Sequence, residues 1–273
     1  MKYENLEYEI RDGAALLTLI TPDVLSLGDL CDELLDLLLR LQDDPQVRAI
    51  LLSDGLRPFD LSPDLENLAD LKCADKDFSA IAPRLDTIGK TVTALQDYGK
   101  PVVAAAAGCV REAGFGLFLA ADCRIAATTA TLQAPDVARG LLPEWGLMHT
   151  LPRLVGPGRA LELLWSGRTL DAAEAARIGL VDRVVPAERF EEELDLLMAR
   201  LVTLPQPVVR LLKLGAQQAA QFDLTAMLSF EYEGQQQCWA AHETTEGMAA
   251  FLENRSPAFR APASDSDDDG ENA

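Results

Sequence analysis

Apolar and polar positions alternate or recur along most of this chain, and their spacing predicts the elements. Glu7 to Ile10 and Ala14 to Ile20, separated by Arg11-Asp12-Gly13, predict a hairpin closed by a glycine turn. Leu30, Leu34, Leu37, Leu38 and Leu41 keep helical spacing up to Asp43-Asp44-Pro45, and Val47 to Ser53 predicts an apolar strand. Ser62-Pro63-Asp64 has the chemistry of a helix start, with Ser62 as N-cap, Pro63 at the first helical position and Asp64 favourable to the dipole. Phe78 to Gln96 predicts a helix with Ile81, Leu85, Ile88, Val92 and Leu95 on one face, interrupted near Pro83 and ended by Gly99-Lys100-Pro101.

Val102 to Ala107, bounded by Pro101 and Gly108, suits a strand buried on both faces. Gly108 then turns the chain into a buried helix carrying Ala113, Phe115 and Leu117 to Ala121. Arg124-Ile125-Ala126 predicts a strand. Asp171-Ala172-Ala173-Glu174 predicts a capped helix that Gly179 stops, and Val181 to Val185 another strand, ended by Pro186. From Phe190 onward only helices are predicted, over Phe190 to Leu204, Val208 to Ala220, Leu224 to Ala240 and Thr245 to Asn254. No internal repeat is visible. The pattern is an α/β body followed by an all-helical part.

Composition narrows the function classes. With 273 residues, 48% of them hydrophobic, the chain is long enough to bury a full core. Its formal net charge of −20 argues against nucleic acid and against anionic membrane surfaces as partners. Part of that charge sits in Ser264-Asp265-Ser266-Asp267-Asp268-Asp269-Gly270-Glu271, which reads as a disordered solvating tail. Five cysteines without a C-x-x-C pair favour a reducing compartment, and two histidines make a zinc site improbable. The acidic N-terminus does not read as a signal peptide, and no run has the length of a membrane span. The expectation is a cytoplasmic protein with no metal.

The strand, glycine turn and helix start between Val102 and Phe115 leave unpaired N–H groups around Glu112 to Gly114, which suit an anion or a developing oxyanion. Any α/β core contains such joints, so this spacing alone names no reaction.

Several stretches together resemble the crotonase, or enoyl-CoA hydratase/isomerase, family over about residues 7 to 260. The carriers are Lys100-Pro101-Val102-Val103-Ala104-Ala105 before Gly108, Ala121-Asp122-Cys123-Arg124-Ile125-Ala126, Leu151-Pro152-Arg153-Leu154-Val155-Gly156, and Ser166-Gly167-Arg168 with Ala172, Glu174-Ala175 and Gly179-Leu180-Val181. Glu246-Gly247-Met248-Ala249-Ala250-Phe251 and Arg255-Ser256-Pro257 look like the family's closing signature. The resemblance implies an α/β crotonase-like ββα spiral over residues 1–204, a C-terminal all-helical trimerisation region over 205–260 and the acidic tail over 261–273. It also implies an acyl-CoA thioester as substrate, no separate cofactor because coenzyme A is part of that substrate, and a homotrimer or hexamer.

In the family, two backbone N–H groups hold the thioester oxygen while carboxylates move protons. The resemblance puts one such donor at Ala113 and the other at Pro63, which has no N–H to give. Losing one donor costs about 3 kcal/mol of transition-state stabilisation. Asp64 N–H is a substitute if the loop shifts, and a helix start explains Pro63 equally well. Of the two hydratase glutamates, the first falls at Gly116 and the second at Asp136. Glu144, in Pro143-Glu144-Trp145-Gly146, stands where hydratases have glycine and where dienoyl-CoA isomerases, ring-opening isomerases and an aryl-CoA dehalogenase have an acid. Glu144 and Asp136 are therefore the expected catalytic pair. The alternative for Glu144 is an exposed loop residue. Ser62, Asp64, Leu65, Glu112 and Gly116 are expected against substrate. Arg111 and His149 fall near the same pocket, His149 as a polar residue on a helix flank, while Cys109 reads as small-residue packing. Together these features imply an acyl-CoA isomerase or an atypical hydratase or lyase. A degenerate relative that binds thioesters or assists assembly is the alternative.

Overall fold

The structure is a computed structural model that describes residues 2–20, 26–53, 59–60, 64–135 and 137–259. The chain begins with β1 (Leu6–Arg11), β2 (Ala14–Leu19), α1 (Leu27–Asp43), β3 (Ala49–Ser53), β4 (Phe59–Asp60), α2 (Asp64–Cys73) and α3 (Ala82–Gln96). Next come β5 (Val102–Ala106), β6 (Cys109–Arg111), α4 (Ala113–Leu119), β7 (Cys123–Ala127), β8 (Thr131–Gln133), α5 (Leu147–Val155), α6 (Pro157–Ser166), β9 (Thr169–Asp171), α7 (Ala172–Arg177), β10 (Arg183–Val185) and α8 (Phe190–Val202). The last three are α9 (Gln206–Gln218), α10 (Leu224–Ala240) and α11 (His242–Leu252). Two compact units result, residues 1–202 and 203–273.

In the first unit a six-stranded sheet runs β1-β2-β3-β5-β7-β10, with the β1/β2 hairpin antiparallel and the other pairs parallel. In a smaller sheet, β4-β6-β8-β9, the strands β4, β6 and β8 follow β3, β5 and β7 of the large sheet in turn, and β9 joins antiparallel to β8 before the chain returns to β10. The centre of the large sheet is buried on both sides, while β1 at its edge is exposed beyond Leu6, and β5 is buried at every position, which explains its uninterrupted Val-Val-Ala-Ala-Ala run. On one side Leu27, Leu30, Leu34, Leu37, Leu38 and Leu41 of α1 are buried, each contributing about 1.5–3 kcal/mol. Ser26 caps that helix, its Oγ accepting from Asp29 N–H. The other side is closed by Phe190, Leu194, Met198 and Val202 of α8.

The expected passage from strand through Gly108 directly into a helix is corrected. β6 intervenes, and the chain turns at Glu112 instead. A three-residue strand shows no periodicity of its own, and it forms because β4 and β8 pair with it on either side. Phe78–Ala80 is a short 3-10 turn, and α3 proper starts at Ala82 with Pro83 in its first turn, where a missing N–H does no harm. Helices α5 and α6 have no counterpart in the predicted elements, because Pro152 lies inside α5 and Gly156 separates the two. Asp171 caps α7 through Glu174 N–H, and Gly179 follows at φ 84°, as the sequence predicts.

The residues that carry the family resemblance hold this frame together. Lys100 Nζ donates to the carbonyls of Leu41 and Asp44 at the end of α1, and burial lowers its pKa. Asp122 accepts from Val102 N–H at 2.8 Å. Arg124, buried, donates to Leu180 O and Ala121 O and pairs with Asp182 at 2.8 Å. Arg168 bridges Glu162 and Glu174.

The closing signature is a clasp within the second unit. Glu246 accepts from Arg255 and from Ala258 N–H, and the Phe259 ring lies where a Cβ on Gly247 would touch it at 3.5 Å. The Arg255 guanidinium, helped by the Ala258 N–H, holds the Glu246 carboxyl at a pKa of about 2. A carboxyl depressed on folding stabilises above its unfolded pKa of about 4.3. That contribution disappears as pH falls through the folded value. The Ala258 amide resonance is therefore expected to titrate with a midpoint near 2, and a midpoint near 4.3 would show that the clasp does not form.

Candidate active site

The site is built around the start of α4. Glu112 precedes it at φ 54°, ψ −132°, a conformation that favours glycine and costs a non-glycine residue on the order of 1–3 kcal/mol. Arg139 holds its carboxylate at 2.9 Å. From Ala113 the helix begins, and its first N–H groups have no acceptor within the helix. Gly114 is obligatory, since a Cβ there would fall 1.9 Å from the Phe59 carbonyl oxygen of β4. One turn on, a Cβ on Gly116 would fall 2.2 Å from Cβ and 2.7 Å from Cγ of Trp145. Trp145 and Gly146 both have positive φ, 60° and 67°, and this turn before α5 lays the indole onto Gly116.

Glu144, the residue before that indole, reaches Arg84 of α3. Both carboxylate oxygens lie 2.7 Å from Arg84 Nη1, and the side chains are 25% and 14% exposed. The pair stands at a cleft of about 540 Å³, open solvent at its mouth included, lined by Leu27, Leu68, Ala113, Leu141, Glu144 and Trp145 among others. Glu112 and Pro135 also line it. A carboxylate offers roughly four lone-pair directions. Arg84 engages one on each oxygen, which leaves others for a proton or a ligand. A carboxyl lining the same cleft as the start of a helix has the means to move a proton beside a carbonyl whose developing charge a backbone N–H receives.

The structure thus brings Glu144, Ala113 and Glu112 to one cleft. Gly116 lies under Trp145, which forms the wall at that point. Asp136, Ser62 and Pro63 lie outside the described residues, as do the side chains of Asp64 and Leu65 at the start of α2. His149 is exposed on α5, Arg111 is exposed on β6, and Cys109 is half-buried in β6. Among the described residues no His, Cys, Asp and Glu cluster could hold a metal ion, and no helix is long and apolar enough to cross a membrane.

Sequence reasoning missed Arg84, Arg139 and the packing role of Trp145. Arg84 lies 60 residues from Glu144 with no local motif to mark it. The tryptophan was visible beside Glu144, but nothing in the sequence pairs it with Gly116.

A two-sheet spiral of this topology, with a strained turn leading into a buried helix beside an acid-bearing apolar cleft, defines a crotonase-type protein. A profile of the enoyl-CoA hydratase/isomerase family matches residues 9–262, and the chain belongs to that family. It is 33% identical over 263 residues to a crotonyl-CoA hydratase of Syntrophomonas wolfei, covering 95% of this chain and 99% of that protein. A short-chain-enoyl-CoA hydratase of Clostridium acetobutylicum is 27% identical over 93% of this chain and 97% of its own length. The solved enoyl-CoA hydratase/isomerase of Cupriavidus metallidurans superposes with a TM-score of 0.83 at 28% identity, covering 95% of this chain and 97% of that one. The fold class and the enzyme family are thereby established.

Proposed function

We propose that this chain processes acyl-CoA thioesters by moving a proton through Glu144, with Asp136 as the second carboxylate and Ala113 N–H receiving the enolate charge. The outcome is a double-bond shift or an atypical addition or elimination. The relatives above bear hydratase names, and the proposal departs from them at one point. The observation that carries it is the Gly116–Trp145 contact: the position expected for the first hydratase glutamate has no room for a side chain, while Glu144 stands at the cleft. Coenzyme A enters as part of the substrate, and no separate cofactor is invoked.

The test is incubation with a panel of enoyl-, dienoyl- and cyclic acyl-CoAs in heavy water, read by mass spectrometry. Deuterium is expected in the recovered acyl chain of at least one thioester without net addition of water. Neither exchange nor turnover across the panel would sink the proposal and favour a thioester-binding relative without catalysis. That second reading draws on one observation, the engagement of both Glu144 oxygens by Arg84.

We place the protein in the cytoplasm as a homotrimer or a hexamer of two trimers. Support for assembly comes from the helical second unit, which exposes Leu212, Leu228, Tyr232, Trp239, Met248 and Phe251.

A further inference from the structure

Glu144 is held from three sides. Its carbonyl accepts from Leu147 N–H at 3.2 Å, which closes the turn into α5. The next residue, Trp145, is fixed at φ 60° with its indole on Gly116. And the carboxylate is met by Arg84, 60 residues earlier in the chain, with both oxygens 2.7 Å from Nη1. Helix α3 touches the same turn a second time about two helical turns further on, where a Cβ on Gly146 would lie 3.5 Å from Val92 Cγ1.

Ion pairs on an open surface contribute little to stability. This one lies elsewhere: its side chains are 14% and 25% exposed, and both residues line the cleft. A glutamate side chain has three rotatable bonds, and left unheld it samples many positions. The contact also leaves the acid usable. A single nitrogen reaches both oxygens, so the fork of two parallel N–H···O bonds that arginine often offers a carboxylate is not formed, and each oxygen keeps a further lone-pair direction. Arginine stays charged at working pH and takes no part in proton transfer itself.

We propose that Arg84 is a positioning residue: it holds the Glu144 carboxylate in the orientation from which a proton passes to and from the acyl chain, and it acts on the reaction only through Glu144. This rests on the acyl-thioester reading above. Since one nitrogen makes both contacts, a lysine ammonium at position 84 should serve in part, although it lacks the planar fork.

The experiment measures deuterium exchange into the acyl chain over a range of thioester concentrations for wild type, Arg84→Met, Arg84→Lys, Glu144→Gln and the double variant Glu144→Gln/Arg84→Met, with ligand-free melts alongside. Arg84→Met is expected to lower kcat about 10²-fold, the cost of misplacing a reacting group by about 1 Å, with KM within a few-fold of wild type. Arg84→Lys is expected to be about tenfold more active than Arg84→Met. In the Glu144→Gln background Arg84→Met is expected to cost nothing further, because its effect passes through the carboxylate. Equal losses in the two backgrounds, unchanged kcat in Arg84→Met, or Arg84→Lys no more active than Arg84→Met overturns the inference and leaves the acyl-thioester reading standing. Unchanged kcat in Glu144→Gln overturns the role of that acid and the inference with it, and absence of exchange by wild type overturns the whole reading. Should Arg84→Met not fold, Arg84→Gln takes its place in the cycle with the same outcomes.

Discussion

Glu144→Gln is expected to lower turnover on an acyl-CoA that exchanges deuterium by about 10²–10⁴-fold, the range for loss of a general acid–base group. Glutamine keeps the shape of the side chain and its carbonyl oxygen can still accept from Arg84, so the loop and the cleft should persist. What disappears is the capacity to take and return a proton. The comparison that isolates chemistry is turnover against thioester affinity, with the affinity expected to stay within a few-fold. Unchanged turnover would remove Glu144 from the reaction and leave it as the partner of Arg84 alone.

Gly116→Glu, which would place an acid where the resemblance expects the first hydratase glutamate, is expected to fail as a gain of function and to destabilise the fold by about 3 kcal/mol or more. The obstruction is not a flexible side-chain end. The new Cβ would meet Cβ and Cγ of Trp145 at 2.2 and 2.7 Å, atoms tied to a backbone already at positive φ. Gly116→Ala meets the same atoms and is expected to destabilise as well. Removing the obstacle in the double variant Gly116→Glu/Trp145→Gly should recover part of the loss, giving strong coupling in a double-mutant cycle of melting free energies. Additive effects would mean that Trp145 does not set the identity of residue 116.

These two results separate the two carboxylate arrangements. Glu144 lines the cleft just before α5, and the Trp145 indole packs on Gly116 of α4. The strain at Glu112 and Trp145 flanks the same helix start, and backbone strain of this kind persists where surrounding packing enforces it. Arg139 anchors the first and the Gly116 hollow anchors the second.

What was legible in the sequence follows from local physics. The leucine spacing of α1, the unbroken apolar run of β5, the cap at Asp171 and the stop at Gly179 each encode their element within a few residues, and each is found in place. The family frame was legible for a related reason. Lys100, Asp122, Arg124 and Glu246, which carry the resemblance, each make hydrogen bonds to the backbone. Lys100, Asp122 and Arg124 do not line the cleft, and a frame of this kind identifies a family without naming its reaction.

The sequence by itself determined an α/β body and a helical end, and it offered residues 100–146 as the candidate reaction centre with Glu144 as its candidate acid. Tertiary structure alone decided the rest. Strands as short as β4, β6 and β8 exist only through their pairing with one another. Helices α5 and α6 form against a core that overrides Pro152 and Gly156. Arg84 meets Glu144, and Trp145 covers Gly116, because separate turns of the spiral converge there. Contacts between residues distant in sequence leave no periodicity behind, so the partners that decide this site's chemistry become visible only when the chain is folded.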